Sequence, residues 1–286
     1  MDECIDLHLH SNASDGSMSP TDLVKAATAL NITTLALTDH DTTAGLVEAS
    51  LEAVRSHVEF IPGCELGAQT EYGQVDVLGF WVPSDNKAFE ARLLELRTAR
   101  NRRNLQILAK LAEMGMPIAL EELEAMTAST IGRPHIALMM LRKGYITHAR
   151  EAFEKYIGAK GPAYVRHEPF SPQEAVELLS KTGATPVLAH PMLVRAPFAW
   201  LEKLIKDLIP HGLAGLEAYH SEFDHDAIRK TLDLASKYNL VLSGGSDYHG
   251  EIKPSIKIGS GKGNLHVPEN IPDMLKKLRL KQGLSV

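Results

Sequence analysis

Apolar residues fall along this chain in two rhythms. Short alternating or continuous runs bounded by Gly, Pro, Asn or Asp predict strands over 4–9, 33–38, 59–61, 74–81, 185–189, 215–219 and 240–244. Apolar positions three and four apart predict helices over 20–30, 43–57, 172–182, 199–208, 226–238 and 271–280, the first of them started by Ser19 and Pro20. Strands and helices take turns, which implies a mainly parallel sheet with crossover helices, and seven strands suffice to curl into a barrel. Between 86 and 157 the texture changes to helical runs alone, over 89–114, 120–125, 135–143 and 148–156. The predicted class is therefore α/β, a barrel carrying a helical insertion. Its expected segments are 1–85 and 164–286 for the barrel and 86–163 for an insertion covering the active site.

The first run ends in Leu7-His8-Leu9-His10. Alternate strand residues share a face, so Asp6, His8 and His10 are expected on one side and Ile5, Leu7 and Leu9 on the other. Two imidazoles and a carboxylate on one short strand face suggest a metal ion. Similar residues recur at or after the other strand ends: Thr38-Asp39-His40-Asp41, Gly63-Cys64-Glu65, Asp76 within the fourth strand, Ala189-His190-Pro191, Glu217 and His220, and Ser246-Asp247-Tyr248-His249. In (β/α) barrels the loops at the C-terminal strand ends converge on one rim, so residues distant in sequence meet there.

Composition narrows the partners. The 286 residues are 44% hydrophobic and 23% charged, with a net charge of −6, which argues against binding long nucleic acid but not against a small anion held by local cations. The two cysteines, Cys4 and Cys64, form no CxxC pair and read as buried thiols of a reduced, cytoplasmic protein. No leader and no bilayer-length apolar run is evident, so a soluble protein with no membrane contact is expected. Nothing calls for an obligatory protein partner.

Together, His8-Leu9-His10, Ser14-Asp15-Gly16, Thr38-Asp39-His40-Asp41, Gly63-Cys64-Glu65, Ala189-His190-Pro191 and Gly245-Ser246-Asp247-Tyr248-His249 resemble the polymerase and histidinol phosphatase (PHP) family across essentially the whole chain. The layout is most similar to free-standing members, which include nucleoside 3′,5′-bisphosphate phosphatases and a 5′-3′ exonuclease-like branch. The resemblance implies a distorted (β/α)7 barrel holding two or three divalent ions that hydrolyse phosphate esters. It implies one ion on His8, His10, Glu65 and Asp247. Glu65 would bridge to a second on His190 and Asp76, with a third on Asp15, His40 and His249. The family usually has a histidine in the fourth strand. This chain has Val75-Asp76-Val77-Leu78-Gly79, whose carboxylate has a shorter reach and a negative charge.

Imidazole and carboxylate donors without thiolate suit Mn²⁺ foremost, or Fe²⁺ or Zn²⁺. The expected chemistry is attack on phosphorus by hydroxide held on the ions, with no covalent nucleophile. Ile131-Gly132-Arg133-Pro134-His135 resembles the family segment that presents Arg133 and His135 to a second phosphate, and Lys160 is a further candidate cation. Asp39 and Asp41 are expected to fix His40. The run Arg97, Arg100, Arg102, Arg103 reads as a solvated helix face, and His220 and His225 are left outside the site. Gly259–Gly263 lacks phosphate-loop spacing and reads as a turn. The expected substrate is a small phosphorylated metabolite, foremost a nucleotide such as a nucleoside 3′,5′-bisphosphate. The alternatives are a sugar cyclic phosphate, short oligoribonucleotides, histidinol phosphate, or a non-enzymatic metal-binding module.

Overall fold

The first apolar run forms β1 (Cys4–Leu9) in the computed structural model of the protein, which describes residues 4–126, 131–166 and 170–286. Helix α1 (Pro20–Ala29) starts where Ser19 accepts the Asp22 N–H at 3.1 Å. Then come β2 (Ile32–Leu37), α2 (Leu46–Ser56), β3 (Glu59–Thr70) and β4 (Gly73–Phe80). The helical segment is α3 (Lys87–Glu113), α4 (Leu120–Glu124), α5 (Arg133–Arg142) and α6 (Ala149–Lys155). Alternation resumes with α7 (Pro172–Lys181), β5 (Thr185–Leu188), α8 (Phe198–Leu208), β6 (Gly215–His220), α9 (His225–Tyr238) and β7 (Val241–Gly245), and α10 (Ile271–Lys281) closes the chain.

The seven strands form one sheet in sequence order. It is less parallel than the alternation predicts, because β4 runs antiparallel to both β3 and β5. The pattern ends the third strand at Ile61, before Pro62 and Gly63, yet β3 continues to Thr70 and pairs with β4 from Gly63↔Phe80 to Thr70↔Gly73. This hairpin inverts β4, so Asp76 reaches the rim from near the start of its strand, not from the end.

The sheet nearly closes on itself. Asp247 N–H donates to His8 O at 2.9 Å and His10 N–H to Tyr248 O at 3.0 Å. Beside this seam a Cβ on Gly245 would lie 2.4 Å from His8 N, so only glycine permits the approach.

Here the simple alternation of β1 fails. A register shift against β2 sets the three steps from Asp6 to Leu9 against two from Leu35 to Leu37. Ile5 and Leu7 pack with Ala36, Ile61, Leu78, Phe80 and Val187 from the other strands, whereas Leu9 packs with Leu23, Leu35 and Leu37 under α1. Asp6 does not join the histidines. Its fully buried carboxylate accepts N–H groups of Ser246 and Gly259, each at 2.8 Å, and of His8 at 3.3 Å. Burial pushes its pKa up to about 6 against those donated bonds.

The helical segment between β4 and α7 has an apolar cluster of its own, including Ile107, Leu111, Leu123, Ile136, Met140 and Ile157. Helix α3 serves both clusters: Phe89, Leu93 and Leu96 belong to the barrel's outer core and Ile107, Leu108 and Leu111 to that of the helical segment. Both cysteines are free thiols, Cys64 buried and Cys4 partly so. Among the described residues no helix is long and apolar enough to cross a membrane.

Removing the Asp6 carboxylate strands buried N–H groups at the seam. Asp6→Ala is expected to destabilise the protein by about 3 kcal/mol, read as a fall in urea midpoint; an unchanged midpoint would refute the clasp.

Candidate active site

Every strand sends a polar group to the same rim. The His8, His10, Glu65 and Asp247 donor atoms nearly touch: His8 Nε2 to His10 Nε2 is 3.1 Å, and Glu65 Oε2 lies 3.4 and 3.3 Å from those two nitrogens. Asp247 Oδ1 lies 3.5 and 3.3 Å from the same pair. Adjacent ligands on one ion with bonds of about 2.1 Å sit roughly 3.0–3.4 Å apart. The other Glu65 oxygen turns to His190 Nε2 at 3.2 Å, and Asp76 Oδ2 is 3.9 Å from that nitrogen. On the far side the ligand atoms of His10, Asp15, His40 and His249 all lie within 4.8 Å of one another.

Hydrogen bonds fix which nitrogens face inward. Glu217 Oε1 accepts from His8 Nδ1 at 2.9 Å, leaving the Nε2 lone pair to the cluster, and its Oε2 accepts the His190 backbone N–H at 2.7 Å. His249 Nδ1 donates to the Asp247 carbonyl at 2.9 Å, which leaves its Nε2 free toward Asp15 at 3.3 Å. His10 Nδ1, His40 Nδ1 and Glu65 Oε2 are buried without a hydrogen-bond partner. Lone pairs that converge in this way repel unless a proton or a metal cation lies among them. This donor set fits divalent ions. His190 and Asp247 hold φ of 28° and 56°, left-handed conformations that cost energy in non-glycine residues and persist at functional sites.

The electrostatics agree. Burial opposes the charge on Asp15, Glu65 and Asp247, yet neighbouring histidines, and Lys253 beside Asp247, hold all three well below the usual carboxylate range. Burial likewise opposes protonation of His10 and His190. Even so, Glu65, with Asp247 beside His10, raises both to about 9, so positive charge is wanted in the cluster. Burial lowers His40 to about 4. Asp76 rises to about 6 through burial and the nearby Glu65.

The cluster floors a cleft of about 350 Å³ whose walls carry Arg100, Arg103, Arg133 and Lys253. Arg133 is in place, its Nη2 donating to Gln74 Oε1 at 3.2 Å. His135 is buried just behind, Nδ1 accepting the Gly132 N–H at 3.0 Å while Nε2 has no partner. Lys160 is exposed on a turn of the helical segment and does not line the cleft. Lys253, six residues beyond Asp247 and outside any motif, lies there and donates to Asp247 Oδ2 at 2.6 Å.

Two further expectations are corrected. Arg100 and Arg103 do not form a solvated face. Arg100 pairs with the Asp41 carboxylate, and Arg103 is buried with Nε donating to Val165 O at 3.1 Å. The signal was present, because positions 93, 96, 100, 103, 107 and 111 continue one helix face through both arginines. Asp39 and Asp41 do not fix His40. Asp39 accepts from Ser11 N–H, Ser11 Oγ and Ser14 Oγ, shaping the loop that carries Asp15, whereas Asp41 holds Arg100. Sequence reasoning also passed over Glu217 as a support for the histidines, and His220, whose Nε2 lies 3.6 Å from Asp247 Oδ2.

A protein-family model described as PHP domain matches residues 6–164. The chain is 32% identical to a 5′-3′ exoribonuclease of Haemophilus influenzae, covering 85% of this chain and 89% of that one. It is equally 32% identical to a 3′,5′-nucleoside bisphosphate phosphatase of Chromobacterium violaceum, over 86% of this chain and 87% of the relative. A solved Chromobacterium violaceum structure described as an amidohydrolase, with bound sulfate and no metal, superposes with a TM-score of 0.88 at 30% identity, covering 96% of each chain. A rim of imidazoles and carboxylates on a nearly closed seven-stranded barrel, matched in sequence over more than half its length, makes this chain a member of the PHP domain family.

Proposed function

We propose that this chain is a metal-dependent phosphoesterase acting on a small phosphorylated nucleotide, foremost a nucleoside 3′,5′-bisphosphate. The observation that carries the reading is Glu65, whose two oxygens address separate groups of imidazoles, His8 with His10 on one side and His190 on the other. Such a carboxylate suits a bridge between two ions, beneath a cleft walled by guanidinium groups.

His8, His10, Glu65 and Asp247 would hold one ion, Glu65, His190 and Asp76 a second, and Asp15, His40 and His249 a third, with Mn²⁺ the favoured metal. When bound, divalent ions lower the pKa of water and neutralise phosphoryl oxygens. The chain's own part is to orient and to balance charge. Glu217 keeps the His8 lone pair directed inward and pins the His190 backbone. Arg133 supplies a fork for a second phosphate, supported by Arg100 and Arg103 on the same wall. Burial and the charge of Arg133 bring Arg103 down to about 9, so an arriving anion relieves crowded positive charge. His135 Nε2–H is a buried donor awaiting an acceptor.

A second reading, removal of nucleotides from the 5′ end of short RNA, is favoured by half-exposed Phe153 and Leu193 among the lining residues, an apolar surface suited to a base. Turnover of a nucleoside 3′,5′-bisphosphate, a 5′-phosphorylated oligoribonucleotide, a sugar cyclic phosphate and histidinol phosphate, each with Mn²⁺, separates the readings. Activity confined to histidinol phosphate would refute the nucleotide assignment. Arg133→Ala is expected to raise KM for the bisphosphate about tenfold or more and to affect an aryl phosphate less. Equal losses would show that Arg133 reads no second phosphate.

Metal loading should depend on pH. In the metal-free protein His10 and His190 keep their protons up to about pH 9, and ligation requires neutral imidazole. Mn²⁺ affinity is therefore expected to rise from pH 6 toward pH 9, with protons released on binding. Calorimetric titration in buffers of different ionisation enthalpy reads both, and a pH-independent affinity would overturn the assignment of these histidines as ligands.

A further inference from the structure

We propose that Gln74 is a positioning residue that ties Asp76, on the ion side of the cleft, to Arg133, on the phosphate side, so that the two are set by one amide. Its Nε2 donates to Asp76 Oδ1 at 2.6 Å and its Oε1 accepts from Arg133 Nη2 at 3.2 Å. A carboxylate only accepts and a guanidinium only donates, so a single orientation of the amide satisfies both neighbours. The tie rests on the reading of Arg133 as a phosphate fork and of Asp76 as an ion ligand.

The local fold builds this bridge. Gln74 and Asp76 lie two apart near the start of β4, with side chains on one face, and Gly67 stands opposite Asp76 on β3. A Cβ at Gly67 would lie 3.0 Å from Gln74 Nε2 and 3.3 Å from Asp76 Oδ1, so its absence leaves room for the amide to lie across the pair. The cross-strand partner Gln69 does not compete, since its own amide donates to Thr70 O at 3.0 Å.

Two consequences follow for the chemistry. With Oδ1 engaged by the amide, Asp76 keeps Oδ2, the oxygen 3.9 Å from His190 Nε2, for an ion. The short aspartate is thus held in place where a freely rotating carboxylate would swing away from His190. On the other side, the anchor for Arg133 is neutral. An acid at position 74 would hold the guanidinium as firmly but would cancel its charge, and would set a second carboxylate against Asp76. The amide fixes Arg133 and leaves its full positive charge for a phosphate, on a wall where Arg100 and Arg103 also repel it.

Two substitutions test the tie through readouts that part in sign. Gln74→Leu releases both partners: KM for a nucleoside 3′,5′-bisphosphate is expected to rise about tenfold, and Mn²⁺ binding to the metal-free protein, followed by calorimetry, to weaken. Gln74→Glu is also expected to raise that KM, because Arg133 is neutralised, but to strengthen Mn²⁺ binding through the added carboxylate. A residue that merely supported the fold would shift Mn²⁺ affinity in the same direction in both variants. That result, or a Gln74→Leu protein within about twofold of the wild type in both quantities, would overturn the proposal. If the wild-type protein does not prefer a bisphosphate over an aryl phosphate, the phosphate reading of Arg133 fails and the proposed tie with it. The opposed Mn²⁺ shifts would then report on Asp76 alone.

Discussion

A carboxylate sealed among imidazoles is costly, and the barrel is arranged around that cost. Glu65 is 1% exposed and meets ring nitrogens of His8, His10, His40 and His190 at 3.2–3.4 Å. Buried charge is tolerated only where partners neutralise it and polar neighbours hold those partners still. Glu217 holds His8 and the His190 backbone, while Asp39 shapes the loop behind Asp15. Close to this cluster, Asp6 clasps the seam that brings Asp247 beside β1. These buried acids support the cluster without joining it. The family to which the chain belongs gives this arrangement its context, and the proposed hydrolysis gives it a use.

The cleft has two poles of opposite character. Its floor gathers acids and imidazoles that attract cations, and its wall gathers guanidinium groups that attract anions. A phosphate ester meets complementary charge directly at the wall, and at the floor only through the cations that those acids and imidazoles would hold, which aids orientation as much as affinity. The intermediate groups belong to both poles: Arg100 is paired to Asp41 next to His40, and Gln74 stands between Arg133 and Asp76.

Much of this was visible in the residues alone. Donor types at successive strand ends point to a shared rim, and the structure gathers His8, His10, Asp15, His40, Glu65, Asp76, His190, Asp247 and His249 there. What was hidden depends on long-range pairing. The reversal of β4 comes from a hairpin that turns between Thr70 and Gly73, reached because β3 runs on through Pro62 and Gly63, residues that locally read as a strand end. The register shift in β1 is set by its pairing with β2, so alternation put Asp6 on the wrong side. Arg100 and Arg103 were misread because arginines on a helix are usually solvated, although their spacing continues the apolar face of α3. Lys160 was drawn in by its resemblance to a family segment and lies on a solvated turn. Lys253 does the reverse, reaching the cleft from a loop with no motif.

Helix α3 is a single span of 27 residues, roughly 40 Å of rigid rod. One end is anchored in the barrel's outer core and the other in the core of the helical segment, and Arg100 and Arg103 lie on the stretch between. A helical segment joined to the barrel by such a strut resists swinging like a door, because rotation would tear apolar contacts at one anchor or the other. The guanidinium groups of Arg100 and Arg103 on this strut are thereby held at a set distance from the cluster they face, as a gauge measures length.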